Sequence, residues 1–365
     1  MNSKHNVKSA SQQFQIFGEF LSAEPYGSGH INDTYLSTYN VSGTIVRYIH
    51  QRVNHNIFKN VPALMENIER VTKHVAAKLE STPDCSRGTL TVIPTRDGKP
   101  FHKDAEGNFW RTYLFIEKAR TYDAIESPQQ AFEAAKAFGC LQSTLADFPA
   151  PRLNDTIPDF HNTPKRLAAL EAALKADSCN RAKLAKPELN FVMQRKAMTR
   201  ELLDLNAQGL IPERITHNDT KLNNVMLDDV TGKGICVIDL DTVMPGLALY
   251  DFGDMVRTAT SPAKEDEKNL SLVTMQMPMF EALARGYLES AGSFLTPSEK
   301  SHLAFSGKLI TLEIGIRFLT DFLAGDTYFK VHRDGHNLDR CRTQLKLVES
   351  IEKQEAAMNK LVDSL

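Results

Sequence analysis

Three polar side chains stand at spacings typical of a site for phosphoryl transfer. Asp219 follows His217 by two residues, and Asn224 follows Asp219 by five. A short apolar segment, a turn and a second apolar segment then lead to Asp239. In phosphoryl transfer from a nucleotide, one carboxylate accepts or orients the proton of the attacking hydroxyl, while a carboxamide and a second carboxylate hold magnesium. We therefore expect Asp219 to be the base, and Asn224 and Asp239 to be Mg²⁺ ligands.

The elements around these residues are predicted to bring them together. Residues 225–227 and 235–238 are expected to form two strands of a hairpin, because the Asp- and Gly-rich segment 228–234 between them is typical of a turn. Asp239 would then lie beside Asn224 at the open end of the hairpin, where two oxygen ligands can share a hard cation. A lone aspartate is more often a turn or cap residue, so the prediction depends on the whole set.

Two further aspartates follow the hairpin. Asp241 is either another metal ligand or a residue that supports the ligands, and the sequence leaves both roles open. Asp251 is expected to cap a helix that begins there and to hydrogen-bond the loop that carries Asp219.

Composition excludes several other classes of protein. The chain has 365 residues, 42% of them hydrophobic and 24% charged, which is typical of a folded protein with a sizeable core. A net charge of −2 gives no basic surface that would indicate nucleic acid as the main partner. No apolar run is long enough to span a membrane, and residues 1–13 are polar, so a cytoplasmic location is expected. The five cysteines are scattered and favour neither zinc nor a disulfide framework.

The N-terminal third is predicted to form a small antiparallel sheet. Residues 14–21 are expected to form a strand, followed by a glycine loop, Gly27-Ser28-Gly29, and a second strand. Glycines let backbone amides approach phosphate oxygens, although a plain hairpin turn is the alternative for so short a motif. Residues 44–53, 89–95 and 109–117 would add further strands.

A kinase site needs a cation on one of these strands to reach the nucleotide phosphates. Arg52 and Arg47 are the candidates in residues 44–53, on opposite faces, with a slight preference for Arg52. A helix over residues 61–79 follows, on which Glu66 or Glu69 could brace the arginine. That both arginines simply face solvent is an equally open alternative.

From Pro128 onward the pattern changes to helices. Helix starts are predicted at Pro128, Pro164 and Pro187, and longer helices over 265–290, 297–323 and 338–362. The sequence therefore predicts an α+β fold with two lobes, 1–118 for the nucleotide and 119–365 for the catalytic loop and the acceptor. In the second lobe Arg317 and Asp321 lie one helical turn apart, so they either pair or line a polar pocket.

The chain resembles the aminoglycoside phosphotransferase and choline kinase superfamily, whose fold is similar to that of protein kinases. Within it, residues 27–35, 238–246, 317–323 and 325–330 resemble the N-acetylhexosamine 1-kinases. The phosphate-binding lysine of the wider superfamily is not visible at its strand, which leaves the identity of that cation open.

The resemblance implies a reaction and an acceptor site. It implies transfer of the ATP γ-phosphoryl group, with Mg²⁺, to the anomeric hydroxyl of N-acetylglucosamine or N-acetylgalactosamine. It also implies that His30, Arg317 and Tyr328 contact the sugar. One alternative keeps the chemistry with another acceptor, such as choline, homoserine, a methylthio sugar or an aminoglycoside. The other is a catalytically silent nucleotide-binding protein of the same fold.

Overall fold

A computed structural model of the chain describes residues 5–27, 29, 31–82 and 85–365. Ser28 and His30, two of the predicted site residues, lie outside the described residues. The chain divides into two compact units. The first comprises Met1–Arg120, Asp147–Pro158 and Met226–Met244; the second comprises Thr121–Ala146, Asp159–Val225 and Pro245–Leu365. The predicted division at residue 118 stays a prediction.

The first unit contains an antiparallel five-stranded sheet in the order β1-β2-β3-β5-β4. Its elements are helices α1 (Val7–Ser11) and α2 (Val61–Leu79) and strands β1 (Glu19–Pro25), β2 (Asp33–Val41), β3 (Thr44–Val53), β4 (His102–Lys103) and β5 (Phe109–Leu114). A second sheet has the order β6-β8-β9, with β6 (Ala119–Arg120), β8 (Val225–Asp228) and β9 (Gly234–Val237). The predicted hairpin of 225–238 is therefore confirmed.

The sheet confirms some predicted strands and corrects others. β3 has the predicted bounds and pairs with β2 from Asp33 opposite Arg52 to Val41 opposite Thr44. The prediction for residues 14–21 is wrong up to Gly18, because β1 begins at Glu19. Phe14 is drawn instead into an apolar cluster with Val7 and Ala10 of α1 and with Tyr35 and Trp110 of the sheet. Residues 89–95 form only isolated bridges, and β5 ends at Leu114 rather than at residue 117.

Helix α2 is formed as predicted. Its buried positions include Leu64, Ile68, Val71 and Val75, a stripe at the 3.6-residue period that packs into the core. The Asn60 side chain caps the helix by accepting from the N–H of Ala63 at 3.1 Å.

The second unit is mainly helical. Its elements are α3 (Pro128–Thr144), α4 (Thr163–Ala176), α5 (Lys186–Gln194), α6 (Glu201–Ala207), α7 (Ala248–Ala259), α8 (Met277–Ala291), α9 (Pro297–Ser301), α10 (Leu303–Leu323) and α11 (His336–Asp363), with strand β7 (Arg214–Thr216) paired to β10 (Met244–Gly246). The three predicted helix starts are confirmed, each with proline in the first turn. The predicted α+β fold class is likewise confirmed.

The C-terminal helices depart from the prediction at two places. The helix predicted over 265–290 begins only at Met277. Pro278 lies in its first turn, a position that suits the fixed φ of proline. The helix predicted over 297–323 is two helices, α9 and α10, separated at His302. Within the described part of the chain, no helix has the length and apolar character needed to cross a lipid bilayer.

Glycines let pairs of helices in the second unit approach closely. A Cβ atom at Gly286 of α8 would lie 2.2 Å from the carbonyl oxygen of Phe132 in α3. A Cβ atom at Gly253 of α7 would lie 2.4 Å from the carbonyl oxygen of Ser306 in α10. Both separations are far below van der Waals contact, so these crossings require residues without a side chain.

We predict that Gly286→Ala destabilises the protein. Alanine is favoured over glycine in a helix interior by about 1 kcal/mol. Overpacking a tight contact costs about 1–3 kcal/mol, and here the clash is with a backbone atom. We therefore expect urea denaturation to show a lower free energy of unfolding. Gly29→Ala is the control, because a Cβ there meets nothing within 4 Å. An unchanged or raised stability of Gly286→Ala would contradict this account of the α3–α8 crossing.

Candidate active site

Two carboxylates of helix α7 fix the loop that carries Asp219. The buried Asp251 accepts the N–H of His217 at 2.8 Å and that of Asn218 at 2.7 Å. Asp254 accepts the N–H of Thr220 at 2.9 Å. Asn218 has a φ of +65°, a left-handed conformation that asparagine tolerates better than most residues. The loop backbone around Asp219 is therefore set by contacts on both sides of it.

Of the two roles predicted for Asp251, the hydrogen bonds to the loop are confirmed and the helix cap is wrong. Its hydrogen bonds to the loop are those expected. It is not a helix cap, because α7 begins at Ala248 and Leu247 occupies the cap position. Burial raises the pKa of Asp251, while the loop amides and the Gln142 side chain, 2.6 Å away, favour the ionised carboxylate.

Asp219 and Asn224 lie together in the second unit. The Asn224 amide donates to the Asp219 carbonyl oxygen at 2.7 Å and to Asp219 Oδ2 at 3.3 Å. Asp219 Oδ1 and Asn224 Oδ1 have no hydrogen-bond partner among the residues that the structure describes. The first is an oxygen that can accept a proton, and the second is one that can bind a hard cation.

Lys221 is a site residue that the sequence analysis missed. Its Nζ lies 3.0 Å from Asp219 Oδ2. Burial lowers the pKa of Lys221, but the attraction of Asp219 outweighs it, and the pKa is raised overall. A cation thus stands beside the predicted base. Lys221 could have been predicted from its position two residues after Asp219, because so short a separation keeps the two side chains near each other.

In the first unit, Asp241 is committed to other protein groups. Its Oδ1 forms an ion pair with the buried Arg111, and its Oδ2 accepts from the Asn32 amide at 2.7 Å. The supporting role left open for Asp241 therefore fits the structure better than that of a metal ligand. Asp239, which follows β9 with a φ of +57°, lies close enough to Arg111 to favour its charge.

Arg111 is a second residue that the sequence analysis missed. Burial lowers its pKa, but Asp241 and Asp239 more than compensate, and the pKa is raised. Its side chain is 1% exposed, in the middle of β5. A charged residue within the apolar strand Phe109–Leu114 was the available signal, because a buried arginine requires a specific partner.

The arginines predicted on β3 have other partners. Arg52 pairs with Asp33 at 2.5 Å, and Arg47 pairs with Glu117 while its guanidinium lies 4.0 Å from the centre of the Phe115 ring. The predicted brace is not formed within the described residues. Glu66 lies near Arg70, at 3.8 Å, and Glu69 contacts Lys73, at 2.8 Å. Both β3 arginines are thus paired with carboxylates, and the phosphate-binding role of Arg52 stays a prediction.

Of the predicted glycine loop, Gly27 and Gly29 are described. Gly27 has a φ of +77°, which favours glycine, and a Cβ at either position would meet nothing within 4 Å. The role of Gly27 and Gly29 in binding phosphate stays a prediction.

Arg317 of α10 is surrounded by aromatic rings rather than by a carboxylate. Its guanidinium carbon lies 5.4 Å from the centre of the Phe160 ring, 5.9 Å from that of Tyr328 and 5.6 Å from that of Phe329. Asp321 does not pair with it, since its oxygens accept the backbone N–H groups of 327–329 and the Asn337 amide. The sequence left open whether Arg317 pairs with Asp321 or lines a polar pocket, and the ion pair with Asp321 is not formed.

A cavity of about 200 Å³ in the second unit adjoins the segment that follows Asp219. Lys221, Asn223, Arg257 and Gln344 are among the residues that line it. Asn223 Oδ1 and Gln344 Oε1 are buried and have no hydrogen-bond partner among the residues that the structure describes. Acceptors of this kind on two lining residues suit a ligand that carries hydroxyl groups.

No group of three or more His, Cys, Asp or Glu side chains within the described ranges is arranged to hold a metal ion. The donor set predicted for Mg²⁺ is different, because it consists of one carboxamide and one carboxylate, with phosphate oxygens and water completing the shell. Because no described residue occupies Asn224 Oδ1, Asn224 fits that role.

Comparison with known proteins identifies the class. Residues 22–293 match the phosphotransferase enzyme family, APH. This match covers well over half of the sequence, so the chain belongs to that family. It is a small-molecule phosphotransferase.

Solved structures agree on the fold. An aminoglycoside phosphotransferase from Alicyclobacillus acidocaldarius subsp. acidocaldarius DSM 446 has a TM-score of 0.64 and 11% identity, over 100% of this chain and 98% of that chain. The ethanolamine kinase of Plasmodium vivax has a TM-score of 0.55 and 14% identity, over 88% and 82%. Spectinomycin phosphotransferase in complex with ADP and spectinomycin has a TM-score of 0.53 and 12% identity, over 92% and 94%. These structural matches confirm the predicted kinase-like fold. Because the sequence identities are low, the matches show no finer property.

We predict that Asp251→Ala strongly destabilises the second unit. The change leaves two buried N–H groups without acceptors, at about 1–3 kcal/mol each. Urea denaturation should show a loss of roughly 3 kcal/mol or more in the free energy of unfolding. Asp204→Ala, which removes an exposed carboxylate 3.3 Å from Arg200, is the control and should change stability by about 0.5 kcal/mol at most. Similar losses in the two variants would show that Asp251 does not hold the loop.

Proposed function

We propose that this protein is an ATP- and Mg²⁺-dependent kinase that phosphorylates the anomeric hydroxyl of N-acetylglucosamine or N-acetylgalactosamine. The observation that carries the kinase chemistry is the contact of Asp219 with both Asn224 and Lys221 in a loop held by α7. The choice of sugar depends on the sequence resemblance at residues 27–35, 238–246, 317–323 and 325–330. A cytoplasmic location, where ATP is available, is part of the proposal.

In the proposed reaction Asp219 is the base. Its free Oδ1 takes the proton of the sugar hydroxyl as that oxygen bonds to the γ-phosphorus of ATP. The bond from that phosphorus to the bridging oxygen breaks, so the products are a sugar 1-phosphate and ADP. Lys221 places positive charge where the transferred group gathers negative charge. Mg²⁺ would neutralise the phosphate oxygens of the nucleotide, and Asn224 and Asp239 are its proposed ligands because of their sequence spacing.

The acceptor side is proposed to use directional polar contacts. Arg317 keeps its guanidinium N–H groups available, since aromatic faces contact it and no described carboxylate pairs with it. Tyr328, whose ring centre lies 5.9 Å from the Arg317 guanidinium carbon and which is 63% exposed, is proposed to contact the sugar through its hydroxyl. His30 remains part of the proposal by resemblance, although it lies outside the described residues. Asn223 Oδ1 and Gln344 Oε1, which no described group contacts by a hydrogen bond, belong to residues that line the cavity with Lys221 and could accept from sugar hydroxyls, as a neutral polyol requires.

The charges near the loop disfavour a cationic acceptor such as choline. Recognition of a quaternary ammonium group requires an aromatic or acidic cage without competing cations. Here the aromatic rings of Phe160, Tyr328 and Phe329 already surround Arg317. The Lys221 ammonium group also lies next to the proposed base. An acceptor without positive charge is therefore favoured. A silent nucleotide-binding protein is disfavoured, because Asp219, Asn224 and Asp239 are all present.

We predict that Asp219→Asn abolishes transfer without loss of fold. Removing a general base lowers the turnover by about 10²- to 10⁴-fold, whereas the amide keeps the shape of the side chain. Formation of the sugar 1-phosphate is measured with each N-acetylhexosamine, and ATP binding by calorimetry. Asp363→Asn, at the exposed end of α11, is the control. Turnover of Asp219→Asn equal to that of the control would remove the base assignment.

We predict that Arg317→Ala impairs the sugar more than the nucleotide. Loss of a charged hydrogen bond costs about 1.5–3 kcal/mol, so KM for the sugar should rise about 10- to 100-fold. KM for ATP should stay near its original value. The control is Arg285→Ala, an exposed arginine on α8 that pairs with Glu281. Equal increases in the two KM values would place Arg317 outside the acceptor site.

A further inference from the structure

We propose that His161, held by Glu313, is a positioning residue that acts as a buried imidazolium and fixes the carbonyl of Asn218, the residue before the catalytic base. The proposal rests on the proposed function of Asp219 in phosphoryl transfer. The His161–Glu313 pair lies outside the set of site residues predicted from the sequence, and we add it to the groups that support the reaction.

Hydrogen-bond partners define the protonation state of His161. Its Nδ1 lies 2.8 Å from Glu313 Oε1, and its Nε2 lies 3.1 Å from the Asn218 carbonyl oxygen. A carboxylate and a carbonyl only accept hydrogen bonds. A neutral imidazole carries one N–H, so one of these two oxygens would face a lone pair. With Glu313 ionised, both contacts are satisfied together only when both ring nitrogens carry protons.

Glu313 is arranged to remain the ionised partner. It is fully buried, and its second oxygen accepts from the Thr163 hydroxyl at 2.6 Å. Burial raises the pKa of Glu313, but the opposing effect of His161, Thr163 and Arg317 is larger. The pKa of Glu313 is therefore lowered overall. A carboxylate in this setting needs a cation in contact with it, and His161 is the one that touches it.

Groups from several elements act on the His161 ring. Burial lowers its pKa, but Glu313 of α10, Asp254 of α7 and the Asn218 carbonyl raise it, and the net pKa lies above the ordinary value of 6.5. Tyr250 of α7 and Phe160 pack their rings against it, with centroids 5.1 Å and 4.7 Å away. The other charged groups near the pair, Arg317 and Arg166, act through Glu313.

The pair also connects the loop to the proposed acceptor residue. Glu313 lies one helical turn before Arg317 in α10. Phe160, the neighbour of His161, packs against the Arg317 guanidinium. A shift of this segment would therefore move both the Asn218 carbonyl and the surroundings of Arg317, so the charged pair keeps the two in one arrangement.

The sign of the pH dependence follows from the direction of the shift. Because the pKa of His161 is raised on folding, its stabilising effect is complete below about pH 6.5 and is lost as the pH rises through the higher folded value. Loss of that proton breaks one of the two ring contacts and releases the Asn218 carbonyl. We expect kcat to fall on the alkaline side while KM for ATP stays constant.

The test uses His161→Gln and the double variant His161→Gln/Glu313→Gln, which avoids leaving a buried carboxylate without its cation. Each variant is first checked for cooperative unfolding and ATP binding. We expect the double variant to fold, to lose about 10- to 100-fold in kcat, a range typical for supporting partners, and to lose the alkaline fall of the wild type. His302→Gln, a half-buried histidine bonded to the Ser298 carbonyl, is the control and should keep both.

A spectroscopic readout separates this proposal from the proposed function. Nitrogen-15 NMR of histidine-labelled protein reports whether each ring nitrogen is protonated, and the signals missing in His161→Gln identify residue 161. Two protonated nitrogens at pH 7 would support the proposal even if no N-acetylhexosamine is phosphorylated. A neutral His161 ring at pH 7 would overturn it. So would a folded double variant with wild-type kcat and an unchanged alkaline fall.

Discussion

The second unit depends on one constraint, that the buried N–H groups of the loop 217–220 must find acceptors away from water. A buried donor without a partner costs about 1–3 kcal/mol, so the carboxylates of Asp251 and Asp254 hold the loop firmly. Hydrogen bonds to ionised acceptors are also the stronger kind. Because both carboxylates project from α7, the position of Asp219 follows from the position of that helix, and the loop needs no regular structure of its own.

The first unit solves a similar problem with a charged pair. Arg111 lies within an apolar strand, where an unpaired cation would be costly, and Asp241 removes that cost. The Asn32 amide completes the acceptor capacity of Asp241. As a result Asp241 is tied to the sheet, and Asp239, two residues earlier, extends from an anchored segment. The rigid attachment of Asp239 thus depends on a residue of β5 that has no chemical role in the proposed reaction.

Local patterns explain which parts of this arrangement could be predicted. The helix Val61–Leu79, the strand Thr44–Val53 and the hairpin after Asn224 follow from periodicity and turn residues, which act over a few positions. Arg111 could not be assigned in this way, because its partner Asp241 is 130 residues away in the chain. Phe14 looked like a strand residue for the same reason, since its place in the core depends on Tyr35 and Trp110. The split at His302 shows that boundaries within a long helical pattern depend on packing.

Close helix packing links the two functional segments of the second unit. α7 carries Asp251, which holds the loop, and α10 carries Glu313 and Arg317. At Gly253 the two helices approach so closely that no side chain fits between them. Interiors packed in this way do not deform gradually, so a change in the tilt of α10 must be transmitted to α7 or must break the contact. The base and the arginine proposed for the acceptor therefore belong to one framework, whose geometry is set by the backbone contact and by the His161–Glu313 pair.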